Sequence, residues 1–143
     1  MKCVLKYPGA KNRIADWICG YIPPHEVYLE PYFGSGAVFF NKTPARIETV
    51  NDLDGNVVNY FRVIRERPQE LMTQLEMTPY SRDEYYGSRE NLDKDTDIEK
   101  ARKFAVRCWM GYGASNSYFS GFRSSQQTRS PYTTKEWRNL PER

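Results

Sequence analysis

Apolar side chains along this 143-residue chain fall into two regimes. Up to about residue 53, short apolar runs alternate with glycine and proline. Beyond it, apolar residues recur at the three- and four-residue spacing of a helix face. In the first regime, residues 2–7 read as extended until Pro8-Gly9-Ala10 breaks them. Ile14, Trp17, Ile18 and Tyr21 share one face of a helix, which Gly20 and Pro23-Pro24 end. Residues 26–30 read as a short buried strand, Gly34-Ser35-Gly36 as a turn, and residues 37–41 as the first turns of a second helix. Residues 46–51 form a second strand ending at Asp52. The order strand, turn, helix, strand predicts an α/β fold with a parallel sheet.

The second regime reads as helices throughout. Val57, Tyr60, Phe61 and Ile64 share a face, and Pro68 suits the first turn of a helix that buries Leu71, Met72 and Leu75. Ser81-Arg82-Asp83-Glu84 is a capping box that opens another. Ile98, Ala101, Ala105, Cys108, Trp109 and Tyr112 mark a longer helix that dies at Gly111 and Gly113. Residues 113–132 are polar, rich in glycine and serine, and without period. Thr133-Thr134-Lys135-Glu136 opens a last short helix, with Trp137 and Leu140 inward and Pro141 stopping it.

Composition narrows the classes. With 39% hydrophobic and 27% charged residues the chain should fold. No apolar run approaches the ~18 residues of a membrane span, and the N-terminus does not read as a secretory signal, so the expectation is a cytoplasmic protein without membrane contact. Cys3, Cys19 and Cys108 are too far apart for a zinc pattern and too few for a disulfide framework. The single histidine, His25, sits in a turn and reads as solvated; no metal site is expected. Charge is uneven: residues 76–99 carry 3 basic and 8 acidic side chains, residues 100–143 carry 9 basic and 2 acidic. A basic final third interleaved with aromatics suits a nucleic-acid surface, although a solvated face of paired charges has the same composition.

The densest chemistry lies in Leu29-Glu30-Pro31-Tyr32-Phe33-Gly34-Ser35-Gly36. A strand ends there and the chain turns on two glycines, which permit positive φ and close approach of a ligand to the backbone. Asp52 follows Glu30 by 22 residues at the end of the next strand, where doubly wound folds place a carboxylate on ribose hydroxyls. A dinucleotide fingerprint needs a small residue where Phe39 stands, and no phosphate-loop lysine follows the glycines. A nucleoside without phosphate therefore fits better; the alternative is a glycine turn with no ligand.

These residues carry a family likeness. Leu5-Lys6-Tyr7-Pro8-Gly9-Ala10-Lys11 resembles the opening motif of Dam-type adenine-specific DNA methyltransferases. Residues 28–40 resemble that family's cofactor motif, and Asn51-Asp52-Leu53 with Asn56 and Tyr60-Phe61-Arg62 resemble its next block. The resemblance implies a partial Rossmann-like sheet binding S-adenosylmethionine over about residues 1–56, and a mostly helical target-recognition lobe for double-stranded DNA over 57–143. It implies Tyr7 and Lys11 at the methionine end of the cofactor, the turn of Phe33, Gly34, Ser35 and Gly36 beneath it beside Glu30, and Asp52 with Leu53 at the ribose. Lys6 would face DNA. Residues 113–132 would form the loop entering it, with Asn116 and Gln126 or Gln127 reading adenine, Arg123 and Arg129 gripping phosphate or guanine, and Tyr118, Phe119 and Phe122 stacking. A polar loop with locally packed aromatics is the plain alternative. The likeness further implies a restriction–modification or phage-like setting.

The same family uses an Asp-Pro-Pro-Tyr loop to position the target amine, and this sequence has none. Its one Pro-Pro pair, Pro23-Pro24, lies between Ile22 and His25. No catalytic residue is therefore assigned, and the chain reads as about the first half of such an enzyme, with the other half or a second copy as a partner. Two other readings stand beside it: a catalytically inactive DNA-binding module or subunit, and a different nucleoside-binding enzyme such as a small oxidoreductase.

Overall fold

The computed structural model describes residues 3–112, 120–124 and 132–142. Its elements run α1 (Ala15–Cys19), β1 (Val27–Glu30), β2 (Ile47–Val50), α2 (Gly55–Glu66), α3 (Pro68–Met77), α4 (Arg82–Gly87), α5 (Asp97–Met110) and α6 (Tyr132–Arg138). A small parallel sheet is thus flanked by helices. Strands β1 and β2 pair in parallel with Val27 opposite Ile47 and Glu30 opposite Val50, so both carboxyl ends lie together.

The helices begin where backbone chemistry dictates. Asp54 caps α2 by accepting from the Asn56 amide, Pro68 opens α3, Ser81 accepts from the Glu84 amide at α4, and Thr96 accepts from the Glu99 amide at α5. Helix α5 is the centre, packed against α2, α3, α4 and α6. Because neighbours surround it, even Lys103 and Arg107 are buried. Lys103 pairs with Asp95 at 2.7 Å and donates to the Glu90 carbonyl, and Arg107 donates to the Ser88 carbonyl. These contacts offset the cost of burying polar groups. Leu5, Val57, Tyr60, Leu71, Tyr85, Phe104, Trp109 and Trp137 belong to one apolar cluster, which Phe33 joins from the β1–β2 connection.

Four expectations change. Residues 3–7 form no strand and bend at Val4; Leu5 is fully buried, and the Tyr60 hydroxyl donates to the Val4 carbonyl, strapping the segment to α2. Residues 37–41 form turns instead of a helix. Asn41 Nδ2 donates to the Ala37 carbonyl, the acceptor its own amide would use in a helix, and Pro44 prevents extension. The strand at 26–30 is not buried: Val27 and Leu29 are 60% and 62% exposed, so their face of the two-stranded sheet is largely open among the described residues. Helix α1 is only five residues, and Trp17 and Tyr21 lie exposed with their rings edge-on, while Ala15 is its buried residue.

A cleft at the carboxyl ends of the two strands

Parallel pairing brings Glu30 and the segment after Val50 to one end of the sheet, where ligands of open α/β sheets bind. A cleft of about 440 Å³ opens there. Tyr7 and Lys11 wall it from the N-terminal segment; Glu30, Phe33, Gly34 and Ser35 come from the strand end and turn, and Asp52 from the end of the second strand.

The turn conformation explains its sequence. Gly34 and Gly36 have φ of +52° and +67°, a region that side chains other than glycine's enter at a cost. A Cβ on Gly34 would stand 3.2 Å from the Tyr7 ring, so the absent side chain also admits that ring against the backbone. Asp52 clasps the turn: its Oδ2 accepts from the Gly34 amide at 2.7 Å, and its Oδ1 accepts from the Asp54 amide at 2.9 Å. Phe33 and Asn51 continue the link between the strand ends, the Phe33 amide donating to the Asn51 carbonyl at 2.9 Å. Each Asp52 oxygen retains lone-pair capacity for a further donor. Lys11 Nζ donates to the Gly9 carbonyl at 2.6 Å, leaving its charge at the cleft wall.

Two ionisable groups here are displaced. Burial, followed by the charges of Asp54 and Asp52, pushes the Tyr7 hydroxyl up to about 12, so it stays protonated and donates to Asp54. Burial also raises the Glu30 carboxyl above its ordinary value, against the Tyr28 hydroxyl that donates to it at 2.9 Å. A carboxyl with a folded-state pKa above its unfolded value is a net cost once ionised, and that cost appears as pH rises between the two values. Glu30→Gln is therefore expected to melt higher than the wild type at pH 7 and equally at pH 3; thermal melts at both pH values check this.

Seven of the nine residues expected at a cofactor line the cleft. Gly36 and Leu53 do not: Gly36 faces the rings of Phe33 and Phe40, and Leu53 is 90% exposed. Pro8, Gly9, Ala10, Tyr32, Ala37 and Val38 complete the lining. Asp54, the acceptor of the Tyr7 hydroxyl, was not singled out in the sequence; an Asp opening a helix before Gly55-Asn56 was the available signal.

Of the residues expected at DNA, Lys6 lies 3.3 Å from Glu136 of α6 and over the Trp109 ring. Gly111 and Phe122 form an antiparallel bridge, so the two ends of the intervening segment are held together. Phe122 is half-buried against Tyr80 and Tyr85 with the Arg82 guanidinium over it, and Arg123 stands over the Tyr112 ring. Asn116, Tyr118, Phe119, Gln126, Gln127 and Arg129 lie outside the described residues. Among the described residues no helix is long and apolar enough to cross a membrane, and no cluster of His, Cys, Asp and Glu could hold a metal ion.

A glycine turn clasped by an acid thus lies at the carboxyl ends of the parallel strands, and comparison with known families gives the chain its class. The profile of the D12 class N6 adenine-specific DNA methyltransferases matches residues 7–140, and the chain belongs to that family. Among its relatives, the Type II methyltransferase M1.LlaDCHI of Lactococcus lactis subsp. cremoris is 30% identical over 100 residues, 66% of this chain and 34% of the relative. The DNA adenine methylase of Escherichia coli (strain K12) is 26% identical over 100 residues, 67% of this chain and 36% of that enzyme. The DNA N-6-adenine-methyltransferase of Escherichia phage P1 is 26% identical over 72 residues, half of this chain and 9% of the phage protein. The chain spans about a third of the length of the first two.

Proposed function

We propose that the cleft binds S-adenosylmethionine and that the chain supplies the cofactor-binding and DNA-recognition part of an adenine-specific DNA methyltransferase. The observation that carries this is the Asp52 carboxylate, held at the strand end by two backbone amides beside a positive-φ glycine turn. That cradle suits a ribose: the carboxylate accepts hydroxyl protons, and the bare glycine backbone admits a flat nucleoside. Lys11 would meet the carboxylate of the methionine end, as a compact ammonium does, and Tyr7 and Phe33 would bound the cofactor's flanks. Bound there, the cofactor supplies an electrophilic methyl group.

Residues 1–56 form the cofactor part of a Rossmann-like sheet in this reading, and residues 57–143 the DNA part. The amine of adenine is a weak nucleophile, so transfer depends on positioning and electrostatics. This sequence contains no Asp-Pro-Pro-Tyr, and no residue of it is assigned to the transfer itself. DNA would meet Lys6, Arg123 and the basic segment that carries Asn116, Tyr118, Phe122 and Arg129.

Calorimetric titration of the chain with S-adenosylmethionine, S-adenosylhomocysteine and NAD tests the reading. Saturable binding of both methionine nucleosides and none of NAD is the expected result. NAD binding without methionine-nucleoside binding would sink it in favour of a dinucleotide enzyme.

A further inference from the structure

The floor of the cleft is a closed ring of contacts. The Gly34 amide donates to Asp52, and Asp52 accepts from the Asp54 amide. The Asp54 Oδ2 accepts from the Tyr7 hydroxyl at 3.3 Å, and the Tyr7 ring returns to lie on Gly34. Asp54 divides its two oxygens between two tasks. Oδ1 caps α2, accepting from the backbone amide of Asn56 at 3.0 Å and from its side chain at 2.8 Å. Oδ2 alone faces Tyr7. The Tyr7 ring also meets Phe104 of the central helix in a tilted contact, 6.4 Å between centroids. The ring is thus held by Gly34, Phe104 and the hydroxyl contact with Asp54.

From this ring we infer that Asp54 is a positioning residue for the cleft: by holding the Tyr7 hydroxyl, it sets the aromatic wall against which the bound cofactor packs. The inference rests on the cofactor reading of the cleft above. Asp54 does not itself line the cleft, whereas Tyr7 and Asp52, which it contacts, do. Its influence passes through Tyr7, and it ties that wall to the first turn of α2.

Asp54→Ser separates the two tasks. Serine keeps an oxygen that caps a helix, but it is shorter and has one acceptor atom, so it cannot also reach Tyr7. Tyr7→Phe removes the hydroxyl and leaves ring and cap intact. Each variant of the full chain is expected to bind S-adenosylmethionine about 3- to 10-fold more weakly than the wild type, the range for one lost hydrogen bond. The double variant is expected to bind no more weakly than the weaker single one, because both remove the same contact. A spectroscopic readout accompanies the calorimetry: with tyrosine labelled at its ζ carbon, the signal that Tyr7→Phe deletes is expected to shift in Asp54→Ser at neutral pH. A purely capping role for Asp54 would leave that signal in place. Wild-type affinity in Tyr7→Phe, or penalties of the two substitutions that multiply, overturns the positioning role; the Tyr7→Phe result decides even where Asp54→Ser fails to fold. A wild-type chain that binds no S-adenosylmethionine overturns the cofactor reading, and the positioning role falls with it.

Discussion

Gly36→Ala is expected to destabilise the chain by about 2–5 kcal/mol, the sum of two separate costs. The first is conformational. Gly36 sits at φ +67°, where a Cβ crowds the following carbonyl at about 1–2 kcal/mol. The second is steric. A Cβ there would stand 2.5 Å from the Phe40 ring and 2.7 Å from the Phe33 ring. Phe40 is partly exposed and can swing aside. Phe33 cannot do so cheaply, because it is buried in edge-on contact with Phe39, Phe40 and Phe61. Overpacking of that kind costs about 1–3 kcal/mol. Gly55→Ala is the control. A Cβ on Gly55 meets nothing within 4 Å, and the residue opens α2, so alanine there is expected to be neutral or mildly stabilising. Urea unfolding followed by circular dichroism measures both, and equal midpoints for the two variants would show that the turn tolerates a side chain. Phe33 also lines the cleft, so a displaced ring is expected to reduce ligand affinity along with stability.

What could be read beforehand follows from where the signal is local. The Gly34-Ser35-Gly36 turn, the cap at Ser81 and the parallel strand order each depend on a few adjacent residues and their backbone chemistry, and each is present. The Thr96-to-Glu99 cap obeys the same rule, two residues ahead of the apolar stripe that begins at Ile98. Periodicity was less reliable, because it shows which side chains are apolar and not what covers them. Trp17, Tyr21, Val27 and Leu29 repeat as a buried face would and remain exposed. The opposite error occurs with Lys42. Its polarity suggests the surface, yet its ammonium is buried over the Tyr28 ring and paired with Glu48. The cleft was legible at Glu30, the glycine turn and Asp52 because strand-end position fixes them. The Tyr7–Asp54 contact was not, since 47 residues separate its ends and only the fold joins them.

Asp52→Ala is expected to produce the largest loss of ligand affinity for S-adenosylmethionine, about 10- to 150-fold for each charge-assisted hydrogen bond lost, at about 1.5–3 kcal/mol each. The same change removes the acceptor for the Gly34 and Asp54 amides, so a fall in stability of about 1–3 kcal/mol should accompany it. These two losses have different origins, and Asp52→Asn divides them. The amide keeps one acceptor oxygen and turns the other position into a donor. It can hold one of the two backbone amides but not both, and it lacks the charge that favours a ribose hydroxyl. Asparagine should therefore recover part of the stability and little of the affinity. Calorimetric titration and thermal melts of the three proteins read both quantities. If the alanine variant melts lower yet binds S-adenosylmethionine as the wild type does, Asp52 serves the turn alone and the ribose lies elsewhere. If affinity collapses while the asparagine variant regains its melting temperature, the carboxylate charge acts on the ligand directly. The clasp on Gly34 and Asp54 is then the device that aims it into the cleft.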